Sequence, residues 1–119
     1  MCGLLPGIRV YITFRNRVDL LNATALDRFA RRHRDAQAWL AHWRAAVESA
    51  QWKSLADVRL AYAAADGVRL KGQVVVTVFN VKGNEYRLLT SIHYTRQTVL
   101  VLEVLTHAEY SRGAWKAKY

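Results

Sequence analysis

At 119 residues the chain is long enough for one domain with a buried core, and its 52% hydrophobic content with a single proline excludes a disordered chain. Eighteen Lys and Arg against nine Asp and Glu give a formal charge of +9 and a pI near 10.2, a balance that suits a polyanion such as RNA, DNA or an acidic protein. No apolar run reaches the ~20 residues of a bilayer span, and one cysteine, Cys2, allows no internal disulfide. A cytoplasmic protein without a membrane anchor is expected.

The N-terminal "MCGLLPGIRVYITF" is interrupted by Arg9 and makes a poor signal peptide. "VDLL" (Val18 to Leu21) reads as a short strand at a sheet edge. Three stretches then fit [Ser/Thr]-x-x-[Asp/Glu] ahead of helix-forming residues: Thr24 to Asp27, Ser54 to Asp57 and Thr106 to Glu109. In such a box the hydroxyl accepts from the third amide and the acid reaches back to the cap amide, so all three predict helix starts. The first helix runs through "LDRFARRH". A second follows Asp35, itself a good N-cap, and places Trp39, Leu40, Trp43, Val47 and Ala50 on one face. A short third, "LADVRLAYAAA", ends at the Asp66-Gly67 turn signal.

From there the periodicity changes. "QVVVTVF", "EYRLLTSIHY" and "TVLVLEVL" are strand-like, and the joints "VKGN" and "TRQ" suit antiparallel hairpins. The predicted class is α+β: N-terminal helices packed on one face of a three- to four-stranded antiparallel sheet, with a short C-terminal helix.

"THAEY" (Thr106 to Tyr110) ends the last strand, and it has two readings. Thr106 and Glu109 make a cap. His107 and Tyr110 stand side by side on the first helical turn, where imidazole and phenol can do acid–base chemistry and helix amides welcome a phosphate. Arg87 interrupts an apolar strand: it holds a phosphate through two hydrogen bonds, or it pairs with Glu103 on the adjoining strand. Asn80, Lys82 and Asn84 cluster at the neighbouring hairpin, either as RNA contacts or as turn residues. The basic run "RFARRHRD" is a solvated face or a contact surface. Histidines 33, 42, 93 and 107 show no zinc spacing, and there is no Gly-rich phosphate loop, so neither metal nor cofactor is expected.

The stretches "AWLAHWRAAVESAQWKSLADVRLAY", "VFNVKGNEYRLLTSIHY" and "VLVLEVLTHAEYSR" closely resemble the HigB toxin family of type II toxin–antitoxin systems, within the RelE-like toxins. The resemblance spans about Val18 to Lys116, a single toxin domain at 18–119, and leaves 1–17 as an N-terminal extension. It implies an mRNA interferase acting in the ribosomal A site, neutralised by a helix-turn-helix antitoxin of the HigA type. The implied reaction is attack of the RNA 2′-hydroxyl on its own phosphate. Carried onto this chain, Arg87 would hold the phosphate and His107 and Tyr110 would move protons. Asn80, Lys82 and Asn84 would position the nucleotide, with Lys116 as a further backbone contact. The chain departs from the family at Arg34, where proline is usual, and at Glu85, where lysine is common. The competing reading is a non-catalytic RNA- or ribosome-binding module.

Overall fold

The computed structural model describes residues 18–119; the expected N-terminal extension, 1–17, lies outside them. In chain order the elements are β1 (Asp19–Leu21), α1 (Thr24–Arg32), a 3-10 turn (Arg34–Ala36), α2 (Gln37–Glu48), α3 (Leu55–Ala61), β2 (Asp66–Arg69), β3 (Val75–Val81), β4 (Tyr86–His93), β5 (Thr98–Thr106), α4 (His107–Arg112) and a last 3-10 turn (Ala114–Ala117). The class is α+β as expected, but the sheet is larger. It has five strands in the order β1-β5-β4-β3-β2.

Two features correct the expectation of a purely antiparallel sheet of three or four strands. β1 does lie at an edge, yet it pairs parallel with β5, Asp19 opposite Thr98 and Leu21 opposite Leu100. The Asp66-Gly67 pair does not turn the chain but opens β2, antiparallel to β3 with Gly67 opposite Thr77. The glycine serves a close approach: a Cβ at Gly67 would meet the Leu55 side chain of α3 at 3.2 Å. The reversal comes later, at Gly72 and Gln73, both with positive φ, closed by Leu70 N–H donating to the Val74 carbonyl at 2.7 Å.

α2 buries the face its spacing predicts, with Leu40, Trp43 and Val47 inaccessible and Trp39 and Ala50 at the margin. Trp43 packs edge-on against Phe79 of β3. The helices and one sheet face, including Val81, Tyr86, Leu88, Val99 and Val101, make the larger core. "TVLVLEVL" is apolar nearly throughout because its other face is also covered. There Val76, Val78, Leu89 and Leu105 lie under Trp115, Tyr110 and Tyr119. A bulge at Leu102, between the pairs Leu89–Glu103 and Thr90–Val101, resets the alternation of β5.

Of the three expected capping boxes one forms. Thr106 Oγ1 accepts from Glu109 N at 3.2 Å, and Glu109 Oε1 accepts from Thr106 N at 2.9 Å. Thr24 lies inside α1, whose cap is Ala23. Ser54 caps α3 only through its backbone, and Asp57 accepts from Lys53 N at 2.8 Å instead. Nor does Asp35 cap α2; its carboxylate faces the sheet. Thr106→Ala should therefore cost about 1 kcal/mol in urea denaturation, whereas Thr24→Ala should stay within experimental error.

Candidate functional site

The end of the sheet where β4 begins and β5 stops places several predicted residues together. Arg87 is opposite Asn80 on β3 and Leu105 on β5, so all three side chains emerge from the face away from the helices. Arg87 is half-buried, and one of its terminal nitrogens donates to the carbonyls of Asn84 (3.2 Å) and Tyr86 (3.1 Å). Its guanidinium carbon lies 5.5 Å from the centre of the Tyr110 ring. The alternative ion pair with Glu103 does not form: Glu103 is engaged by Lys118 at 3.2 Å and by the Tyr119 hydroxyl at 2.9 Å. Among the described residues no carboxylate pairs with Arg87.

Tyr110 stacks on Trp115, ring centres 5.3 Å apart and nearly parallel, and the Trp115 indole N–H donates to the Tyr110 carbonyl at 3.1 Å. The ammonium of the exposed Lys116 lies 5.9 Å from the Trp115 ring centre. Arg87, Tyr110, Trp115 and Lys116 thus form a continuous run of cations and rings. Burial is the main cause that raises the Tyr110 phenol above the ordinary value of 10, with Asp66 adding to the rise and Arg87 opposing it. The hydroxyl stays protonated at neutral pH and can donate a hydrogen bond or a proton.

His107 stands on the same helical turn, exposed, with Nδ1 3.4 Å from the Ser111 hydroxyl. The amides expected to receive a phosphate at this helix start are partly spent. His107 N–H donates to the Glu85 carbonyl at 3.1 Å, and Glu109 N–H to Thr106. Asn80 Nδ2 reaches Asn84 Oδ1 at 3.4 Å, so these two amides bridge the hairpin next to Arg87.

Lys82 points elsewhere. With φ of 51° in the hairpin turn, it reaches Asp35 at 3.4 Å in the helix layer. Asp35 also accepts from the Tyr86 hydroxyl at 2.8 and 2.9 Å. The Tyr86 hydrogen bond is the first cause, and Lys82 a further one, that keeps the Asp35 carboxyl below its ordinary 3.8 against some loss of hydration. Tyr86 is correspondingly raised, first by its bond to Asp35. His33 stacks on Phe29 (4.3 Å) and sits 5.2 Å from the Tyr86 ring. His93, at the end of β4, accepts from Arg96 N at 3.2 Å and belongs to turn chemistry.

Sequence reasoning missed Trp115 and the Asp35–Tyr86 pair. Trp115 had a signal: a strand apolar on both faces needs a second cover, and Gly113 (φ 77°) turns the chain back to supply it. A separate groove of about 540 Å³ lies between α1 and α2, with Arg31, Arg34 and Arg44 among its walls, and no sheet residue lines it. Among the described residues no helix is long and apolar enough to cross a membrane.

The C-terminal tyrosine carries its own pH signature. Burial and Glu103 push the Tyr119 phenol up to about 12. A raised value means the folded state prefers the protonated phenol, so its contribution is complete below pH 10 and lost as pH rises from 10 towards 12. Chemical denaturation across that window should show a steeper loss for the wild type than for Tyr119→Phe.

The described residues thus form a small α+β domain that brings a guanidinium, a phenol and an imidazole to one end of its sheet. The family model described as HigB_toxin, RelE-like toxic component of a toxin-antitoxin system, matches residues 36–113, more than half of the chain. The chain belongs to that family and is the toxin of a toxin–antitoxin pair, so an antitoxin is its partner. The matched region starts at the end of the first 3-10 turn and includes Arg87, His107 and Tyr110 but not Lys116. The comparison with curated proteins gave no match.

Proposed function

We propose that the protein is a metal-independent endoribonuclease that cuts messages in the ribosomal A site and so stops translation in the cytoplasm. The observation that carries this is Arg87, a guanidinium without a carboxylate partner among the described residues, set against Tyr110 one helical turn from His107. Arg87 would bind the scissile phosphate and stabilise the charge of its pentavalent state. The 2′-hydroxyl loses its proton to His107 as its oxygen attacks phosphorus. The phosphorus–5′-oxygen bond then breaks, and the protonated Tyr110 supplies the leaving oxygen with a proton. The products are a 2′,3′-cyclic phosphate and a 5′-hydroxyl. Asn80 and Asn84 would position the nucleotide, and Lys116 would contact its backbone at the rim. Lys82 serves this role poorly because Asp35 holds it on the opposite face. The antitoxin would be a helix-turn-helix protein of the HigA type.

The arginines of α1 and of the turn after it favour a second reading, RNA or ribosome binding without cleavage: Arg28, Arg31, Arg32 and Arg34 are exposed and make no ion pair among the described residues. Inducing the gene in a bacterium and mapping the 5′ ends of its messages separates the two. New ends carrying 5′-hydroxyls are expected. Arrested translation with intact messages would overturn the nuclease and leave the binding module.

A further inference from the structure

The β3–β4 hairpin is gripped from both sides of the sheet. On the helix side Asp35 holds it at two points, the Lys82 ammonium (3.4 Å) and the Tyr86 hydroxyl (2.8 and 2.9 Å). The Tyr86 ring is only 8% exposed and packs against the stacked Phe29 and His33 rings of the helix layer, 5.1 and 5.2 Å away. The same segment, Lys82 to Tyr86, supplies three carbonyls to the proposed site. Asn84 and Tyr86 accept from Arg87, and Glu85 accepts from the His107 amide that starts α4. The turn that joins these points carries Lys82 at φ 51° and Gly83 at φ 69°.

We propose that Asp35 is a positioning residue: by clamping Lys82 and Tyr86 from the helix layer, it sets the backbone on which Arg87 and His107 are aligned. Asp35 touches neither residue, so its effect travels through the hairpin. The idea rests on the nuclease reading only for what Arg87 and His107 do. A displacement of about 1 Å at either group is enough to cost up to 10²-fold in rate.

The experiment compares wild type, Asp35→Ala and Tyr86→Phe by steady-state cleavage of a programmed ribosome's message and by NMR of the Arg87 Nε–H and His107 amide signals. Tyr86→Phe keeps the buried ring and removes only the hydroxyl, so it reports even if Asp35→Ala folds poorly. Asp35→Ala and Tyr86→Phe should lower kcat by about 10- to 100-fold with KM within threefold. Both NMR signals should shift while the core resonances stay in place. Unmoved Arg87 and His107 signals in Tyr86→Phe, or a kcat within twofold of wild type, would overturn the proposal. If the wild type cuts no RNA, the nuclease reading fails by itself and the two NMR signals alone decide the clamp.

Discussion

Arg87→Ala is expected to lower RNA cleavage by about 10²–10³-fold, the usual loss when one group that stabilises developing charge is removed. The fold should survive. Arg87 is half-buried, has no carboxylate partner among the described residues, and donates only to carbonyls in the hairpin turn, one of them on the exposed Asn84. Its loss leaves no buried charge unpaired, the situation that makes ion-pair deletions costly. Arg87→Lys tests what the guanidinium adds beyond charge. A lysine cannot offer two parallel hydrogen bonds to a phosphate, so it should recover only part of the rate. Cleavage rates and melting temperatures for the three proteins check this together. Full toxicity of Arg87→Ala, or a variant that melts many degrees lower, would make Arg87 a structural residue.

The second large effect separates the two halves of "THAEY". His107→Ala and Tyr110→Phe should each reduce cleavage by about 10²–10⁴-fold, the worth of a positioned acid or base, with melting temperatures close to wild type. His107 is exposed, and among the described residues its side chain's hydrogen-bond partner is Ser111, so its removal opens no buried cavity. Tyr110→Phe keeps the ring on Trp115 and under Arg87 and deletes the hydroxyl alone. Glu109→Ala should show the reverse pattern. It breaks a formed capping box and should cost about 1 kcal/mol of stability with far less effect on rate. The Glu109 carboxyl is held below its ordinary 4.5, first by the Thr106 backbone amide. A depressed value means the cap contributes fully above that pH and is lost as pH falls through the folded value, so the Glu109→Ala deficit should shrink under acid. Should His107→Ala cut messages as fast as wild type, the helix start would be a cap and nothing more.

What the sequence determined by itself was whatever near neighbours decide. The apolar stripe of α2 is a property of residues three and four apart, and the structure buries it as the spacing requires. The "THAEY" box closes within four residues and forms as written. The place of Arg87 on the face opposite Tyr86 follows from strand alternation alone. Tertiary structure decided the rest, because the deciding partner was far along the chain. A serine or threonine caps only if no better geometry competes, and neither Ser54 nor Thr24 closes its box. Asp35 looked like a helix cap, yet it bonds Tyr86, 51 positions away, and takes Lys82 with it. Asp66-Gly67 carries the composition of a turn, but pairing with β3 and the closeness of Leu55 make it a strand. Local preferences of this kind are worth about 1 kcal/mol or less, and one ladder of sheet hydrogen bonds or one well-placed charged partner outweighs them.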